Sequence, residues 1–264
     1  MNKQILKLSV PNIISNLSVP LVGIVDIALM GHMNDPAYVG AVGLGATIFT
    51  FIYAGLGFLR MGTSGFTAQS RGARNLKDSF LTLGRALGIA VVAGLLLIIL
   101  QEPLSFLAFS FLNSSDQVET LASVYFKTRI MAAPATLGLY AITGWFIGMQ
   151  NARIPMWITL SVNIINIGFS FLFVMFFDMK VEGVAMGTVI GQYSGFILGL
   201  LLLLYHKKRI LSFWSFKGVF NKKELTVFMN VNKDILIRSV LLTGSFYYFN
   251  AKSASLGENI LAVN

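Results

Sequence analysis

The run GVAMGTVIGQYSGFILGLLLLLY, residues 183–205, decides the fold, because its 23 residues include no charged side chain. A helix of about 20 apolar residues spans the hydrocarbon core of a bilayer. Five further apolar runs precede it, and a seventh begins near residue 234. We therefore predict an all-α, polytopic membrane helix bundle with six complete transmembrane helices and a truncated seventh. The five earlier runs cover residues 5–33, 40–68, 80–100, 122–149 and 154–177.

The composition of the 264-residue chain also indicates a membrane protein. Hydrophobic residues make up 55% of it and charged residues only 12%, whereas about a quarter of a soluble domain is charged. The absence of cysteine excludes disulfides, thiolate metal ligands and a cysteine nucleophile. The sequence contains no P-loop, zinc-ligand spacing or nucleophile elbow, so we expect neither a cofactor nor a bound metal.

Lysine and arginine residues set the predicted orientation, because cytoplasmic loops carry an excess of them. The segments outside the apolar runs fall alternately into two sets. One set contains thirteen lysine and arginine residues. The other contains only Lys180, or three basic residues if Lys127 and Arg129 at the edge of the fourth run are counted. The N-terminus is therefore predicted to be cytoplasmic, and topology explains the net charge of +9 without nucleic-acid binding. The basic set comprises residues 1–7, 69–80, 149–154 and 206–233, and the other comprises 34–39, 101–118 and 178–183.

An internal repeat divides the chain. The opening NKQILKLSV, residues 2–10, recurs as NKDILIRSV, residues 232–240, with six of nine positions identical. Six predicted helices separate the copies, so both start on the same side of the membrane, as in transporters built from parallel repeats. We predict an N-terminal six-helix lobe at 1–205, a cytoplasmic basic linker at 206–233 and the start of a second lobe at 234–264.

Asp26 is the residue whose burial in a membrane costs most, because intramembrane charges are expensive and usually functional. The helical rise places it about 10 Å below the outer surface. Two other predicted helices carry polar groups near this depth, so an acid, amides and hydroxyls can converge there. Hydrogen bonding between helices is an alternative role for the amides and hydroxyls, and a structural or headgroup-level acid is one for Asp26. The polar groups are Asn163, Asn166 and Ser170 on the fifth helix and Thr188 and Gln192 on the sixth.

Seven stretches carry a resemblance to a known family of transporters. They are PNIISNL at 11–17, VDIALMGH at 25–32, AVGLG at 41–45, FLRMGTSG at 58–65, AQ at 68–69, NIIN at 163–166 and GVAMGT at 183–188. These stretches are similar to the multidrug and toxic compound extrusion (MATE) family, and within it to the DNA-damage-inducible protein F (DinF) branch. The resemblance implies a two-lobed, twelve-helix antiporter of which this sequence covers the N-terminal lobe and helix seven.

The resemblance also implies roles for individual residues. It implies that Asp26 carries the coupling proton or cation, that Asn166 and Thr188 surround it, and that helix one bends at Pro11. The position four residues after Asn166, often aspartate in the family, is Ser170 here. Because sodium favours several hard oxygen ligands, the missing carboxylate favours a proton as the coupling ion, with sodium as the alternative.

We therefore expect a secondary active exporter of small amphipathic or cationic solutes in the lipid bilayer of a bacterial inner membrane. Protonation of Asp26 would switch its hydrogen bonds with Asn166, Ser170 and Thr188 and shift helix one.

Three alternatives to the exporter are open. A lipid-linked sugar flippase of the same superfamily should have a more cationic cavity than Arg60, the one deep arginine expected, provides. An inactive fragment lacking its second lobe is another. An intramembrane aspartyl protease needs two close carboxylates, whereas the six helices hold only Asp26 at depth.

Overall fold

The computed structural model of the protein describes residues 2–33, 35–110, 115–206 and 216–255. In these residues the regular structure is entirely helical, which confirms the predicted all-α class. The 3-10 turn Ile130–Ala132 lies between α6 and α7. The α-helices are α1 Asn2–Gly31, α2 Pro36–Leu56, α3 Phe58–Gly72, α4 Leu76–Ile99, α5 Gln101–Ser110, α6 Asp116–Arg129, α7 Ala133–Gly148, α8 Arg153–Phe176, α9 Val181–His206, α10 Phe216–Val219 and α11 Lys222–Ser255.

Six helical segments of the described chain are long and apolar enough to cross a membrane, as the six runs predict. Many large apolar side chains on their outer faces are exposed, as expected of helices that contact lipid. The six segments are Leu8–Gly31, Pro36–Gly72, Leu76–Ile99, Asp116–Gly148, Arg153–Phe176 and Val181–Tyr205.

Two of the six spans are broken helices, which the apolar runs do not reveal. The second span divides into α2 and α3 at Gly57, whose N–H bonds to the carbonyl of Ala54 (3.3 Å). The fourth divides at the turn Ile130–Ala132, and Pro134 stands at the start of α7, where its missing N–H costs no hydrogen bond. Gly94 of α4 permits close contact there, since a Cβ on it would lie 2.7 Å from the nitrogen of Pro134.

The fourth span is the most enclosed of the six and forms the centre of the bundle. Its second half, α7, packs against α3, α4 and α9. Trp145 of α7 is fully buried, stacks on Phe80 of α4 (5.3 Å between ring centroids) and donates from Nε1 to the carbonyl of Ser79 (3.0 Å). This central helix therefore fixes the positions of the helices around it.

Helix α11 begins at Lys222, so residues 222–233 of the predicted linker are helical and continuous with the start of the predicted second lobe. Phe228 packs against Phe66 of α3 (5.1 Å between ring centroids), and Asn232 is buried beside Gly62. Residues 207–215 of the predicted linker and residues 256–264 of the predicted second lobe lie outside the described residues. The predicted lobe boundaries stay predictions.

A buried arginine in the first half of α4 completes this contact. Nη1 of Arg85 lies 3.7 Å from a carboxylate oxygen of Asp78 and 4.0 Å from one of Glu224, and Nη2 donates to the carbonyl of Gly218 (3.3 Å). Arg85 thus links α4 to the segment that leads into α11.

Candidate transport site

Helices α8 and α9 approach closely because glycines of α9 face α8. A Cβ on Gly187 would lie 2.6 Å from the backbone nitrogen of Ser170, and one on Gly191 would lie 3.0 Å from Cβ of Asn166. Small residues allow such close approach between membrane helices. The glycines therefore bring the polar stripe of α8 directly against α9.

Asn166 and Thr188 form a hydrogen bond within this contact. Nδ2 of Asn166 donates to Oγ1 of Thr188 (2.9 Å), and the Thr188 hydroxyl donates to the carbonyl of Val184 (3.2 Å). The Ser170 hydroxyl donates to the same carbonyl at 3.5 Å. The exposed fractions of Asn166, Thr188 and Ser170 are 4%, 7% and 0%. The structure therefore brings these three residues together, and their roles in ion coupling stay predictions.

Asp26 is also buried, at 6% exposed, on α1, which packs against α8. Its Oδ1 has no hydrogen-bond partner among the described residues, and neither does Oδ1 of Asn166. The expected hydrogen bonds from Asp26 to Asn166, Ser170 and Thr188 are absent from this part of the chain, where Asn166 and Thr188 bond to each other instead. Asp26 is therefore not hydrogen-bonded to this group in this conformation.

A cavity of about 530 Å³ lies beside the buried group. Asn163, Thr188 and Gln192 line it, whereas Asp26, Asn166 and Ser170 do not. Nδ2 of Asn163 donates to the hydroxyl of Ser18 (2.9 Å), which ties α8 to α1. The predicted site residues thus divide into two groups. Asp26, Asn166 and Ser170 are buried, whereas Asn163 and Gln192 line the cavity, and Thr188 does both. The other polar residues around the cavity are Asn12, Ser15, Asn16, Thr50, Tyr53, Arg60, Arg129, Thr136, Tyr140, Thr143 and Thr159.

Arg129, at the end of α6, is a cavity residue that sequence reasoning placed at the membrane edge. Its guanidinium lies over the rings of Phe49 (4.7 Å) and Tyr125 (5.4 Å), and Nη1 donates to the Tyr125 hydroxyl (2.6 Å). The residue lies about 20 Å along the helix from Asp116, where the span begins. The expectation that Arg60 is the only deep arginine is therefore wrong. The position of Arg129 inside the fourth apolar run was the signal that could have revealed it.

Arg60, near the start of α3, is exposed and lines the same cavity. It forms no ion pair with Asp26 in the described chain. Asp26 lies within electrostatic range of Arg129 instead. The two arginines therefore differ in their relation to the buried acid, although both face the cavity.

Pro11 is buried within α1, which continues as one helix through Pro11 and Pro20. A proline inside a helix removes one backbone hydrogen bond and favours bending. The hydroxyl of Ser15 donates to the carbonyl of Pro11 (2.9 Å). The predicted bend at Pro11 stays a prediction, and Pro20 is a second position at which α1 lacks a backbone donor.

Comparison with known proteins identifies the family of this chain. The profile of the MatE family matches residues 11–172, more than half of the chain. The chain belongs to the MatE family. It is 37% identical over 267 residues to DNA damage-inducible protein F of Escherichia coli K12, covering 100% of this chain and 57% of that protein. Both the MATE resemblance and the similarity to the DinF branch are thus confirmed.

Two other MatE relatives are named for drug resistance or export. The chain is 26% identical to a probable multidrug resistance protein NorM of Thermotoga maritima, covering 78% of this chain and 45% of that protein. It is 23% identical to a multidrug export protein MepA of Staphylococcus aureus RF122, covering 98% of this chain and 57% of that protein. The chain thus spans about half the length of the curated relatives it matches.

Solved structures of transporters of the MOP superfamily share the fold. An outward-facing multidrug resistance MATE family transporter of the MOP superfamily matches with a TM-score of 0.86 at 19% identity, covering 97% of this chain and 56% of that one. A MOP superfamily transporter from Pyrococcus furiosus matches with a TM-score of 0.84 at 20% identity, covering 99% of this chain and 58% of that one. At these identities the likeness shows the fold.

Proposed function

We propose that this MatE-family chain provides the Asp26-bearing part of a secondary active exporter of amphipathic solutes that runs by antiport of protons. The observation that carries the proposal is a pair of buried oxygens without hydrogen-bond partners in the described chain, Oδ1 of Asp26 and Oδ1 of Asn166. They belong to two helices that pack against each other, α1 and α8. Relatives named for multidrug resistance and for multidrug export support the exporter class.

Protonation changes what these two oxygens can do. An ionised carboxylate only accepts hydrogen bonds, as does the carbonyl oxygen of an asparagine, whereas a protonated carboxyl group also donates one. A protonated Asp26 could therefore bond to Oδ1 of Asn166, and an ionised Asp26 could not. An unsatisfied buried polar group costs about 1–3 kcal/mol, so satisfying both oxygens would favour a different position of α1 relative to α8.

Helix α1 has the features needed to move in response. Pro11 and Pro20 each leave it without one backbone hydrogen bond, and most of its surface lies outside the core of the bundle. Proton binding at Asp26 would shift α1 beside the cavity that Asn163 of α8 and Asn12 of α1 line. A change in proton occupancy would thus become a change in cavity shape.

We further propose that the N-terminus is cytoplasmic and that the protein lies in a bacterial inner membrane. The excess of basic residues in one set of segments supports this orientation. With this orientation, Asp26 would be loaded from the outer side, because it lies five residues before the end of α1 at Gly31. The proton gradient would then drive solute outward.

Replacement of Asp26 by asparagine tests the proposal. Asp26→Asn keeps the size and hydrogen-bonding capacity of the side chain but removes its titration. The chain is joined to the remaining part of its Escherichia coli relative, and efflux of a fluorescent amphipathic dye is measured in everted vesicles under an imposed proton gradient. We expect gradient-driven transport with Asp26 and its loss in Asp26→Asn.

Asp35→Asn is the matched control. Asp35 caps α2 through a hydrogen bond from the backbone N–H of Ala37 (2.8 Å), and asparagine caps helices equally well, so transport should persist. Gradient-dependent efflux that is undiminished in Asp26→Asn would remove this residue from the mechanism. Efflux that requires sodium and ignores the proton gradient would reject proton coupling.

A lipid-linked sugar flippase is the second candidate function. The observation that favours it is the presence of both Arg60 and Arg129 around the cavity, since such a flippase should have a cationic cavity. Flipping of a fluorescent polyprenyl-diphosphate lipid by the same vesicles, without movement of the dye, would favour this candidate over the exporter.

A further inference from the structure

The charges around the cavity have one sign. Among the residues that line its 530 Å³, Arg60 and Arg129 are charged, and no lining residue of the described chain is acidic. Neither arginine forms an ion pair in the described residues. Asp26, which interacts electrostatically with Arg129, is buried outside the lining. A cleft with low-dielectric walls that is lined by one sign of charge attracts the opposite sign.

Arg129 is held in place for recognition. Its guanidinium lies over the rings of Phe49 and Tyr125, and Nη1 donates to the Tyr125 hydroxyl. A guanidinium carries five N–H donors, so most of its donor capacity is open to a ligand in the cavity. Because these contacts hold the guanidinium before a ligand arrives, little side-chain freedom is lost on binding.

Arg60 adds a second positive charge that acts on the same space. Tyr140 of α7 lines the cavity and lies within electrostatic range of both arginines. The remaining wall between them mixes hydroxyl and amide groups with apolar side chains such as Phe49, Leu139 and Ile158. A ligand can therefore place an anionic group at an arginine and an apolar body against this wall.

We propose that the cavity binds the anionic group, a carboxylate, sulfonate or phosphate, of an amphipathic ligand. The proposal rests on the proposed export function and deepens it by naming the charge of the solute. The sequence led us to expect amphipathic or cationic solutes. The position of Arg129 in the cavity favours an amphipathic anion instead. The volume suits a small drug-sized molecule, since ligand pockets measure about 300–1,000 Å³.

A pair of ions with the same shape and opposite charge tests the proposal. Tetraphenylborate and tetraphenylphosphonium differ mainly in the sign of their charge, and equilibrium binding of each is measured to the 264-residue chain in lipid nanodiscs, with empty nanodiscs to correct for partitioning into lipid. We expect the borate to bind at least about tenfold more tightly, since the two ions differ in the sign of the charge that Arg60 and Arg129 attract or repel, and such attraction at a low-dielectric wall is large enough for one power of ten in affinity. Equal affinities, or tighter binding of the phosphonium, would overturn the proposal.

Neutral variants locate the effect. We expect Arg129→Gln and Arg60→Gln each to weaken borate binding about tenfold and to leave phosphonium binding unchanged or stronger, which also reports that the cavity is folded. Arg153→Gln is the matched control, because Arg153 is exposed at the start of α8 and does not line the cavity. Arg129→Lys keeps the charge and should retain most of the selectivity. Loss of selectivity in Arg153→Gln alone would overturn the assignment.

A second ligand pair separates two sources of the anion. Farnesyl diphosphate and farnesol compare a lipid-linked diphosphate with its neutral alcohol, under the same variants. Arginine-dependent binding of the diphosphate that exceeds that of the borate identifies a lipid headgroup, and the reverse order identifies a free amphipathic anion. Because binding needs no gradient, anion selectivity without efflux would contradict the export function alone, and efflux without anion selectivity would contradict this inference alone.

Discussion

The contact between α8 and α9 at Gly187 makes a quantitative prediction for Gly187→Ala. The added Cβ would lie 2.6 Å from the backbone nitrogen and 2.9 Å from Cα of Ser170. Backbone atoms of a helix cannot rotate away, so the two helices must separate. Overpacking of this kind costs about 1–3 kcal/mol, and weakening the nearby hydrogen bond between Asn166 and Thr188 costs about 0.6 kcal/mol more. Alanine in place of glycine returns up to about 1 kcal/mol through helix propensity.

Gly168→Ala, on α8, is the matched control, because a Cβ there would meet no atom within 4 Å. This variant gains the same helix propensity without the contact. We expect it to be about 2–3 kcal/mol more stable than Gly187→Ala, where the overpacking cost is added. Unfolding by sodium dodecyl sulfate, followed through the fluorescence of the fully buried Trp145 and through circular dichroism, measures the difference. A Gly187→Ala variant as stable as Gly168→Ala would refute the packing argument.

Three further variants test orientation and ion preference. A single cysteine in place of Ser115 should react with an impermeant maleimide in intact cells, and one in place of Ala73 only after permeabilisation. Both positions are exposed, and the chain has no other cysteine to react. The opposite labelling would reverse the proposed orientation. Ser170→Asp would place a carboxylate beside the Val184 carbonyl and Asn166, which together form a set of hard oxygen ligands. The unfolding temperature of this variant should therefore be higher in sodium chloride than in choline chloride. The unchanged chain should show no such difference. Equal unfolding temperatures in the two salts would contradict a latent cation site.

Hydropathy predicted the number of spans because the length of an apolar run is a property of the chain alone. It could not predict the break at Gly57 or the turn at Ile130–Ala132, because each keeps the span apolar. The sequence pattern placed Asn166 and Thr188 at a similar depth, and helix packing then brought them into contact. Hydrogen bonds of Asp26 to the same group were not found, since depth does not determine which way a side chain faces.

The position of Arg129 in the cavity is another feature that hydropathy could not predict. A charge near the edge of an apolar run can extend to water or into the bundle, and hydropathy does not distinguish these outcomes. Here Phe49 lies on α2, and its ring provides a face for the guanidinium. The direction of the Arg129 side chain therefore depends on Phe49, eighty positions earlier in the chain, which no local sequence pattern around Arg129 includes. The start of α11 at Lys222, by contrast, has a local cause that the apolar runs do not show: Oδ1 of Asn221 accepts from the backbone N–H groups of Lys223 (3.1 Å) and Glu224 (3.5 Å), and so caps the helix.

The contacts of α11 have a consequence for the order of biosynthesis. The groups that hold it, Gly62 and Phe66 on α3 and Arg85 on α4, precede Phe228 and Asn232 by more than 130 residues. During translation, the receiving surface is synthesised long before α11 leaves the ribosome. Capture of α11 by residues already in the bundle would tether the nascent chain at the recurring stretch 232–240, so the residues translated after it would emerge next to a helix that is already anchored.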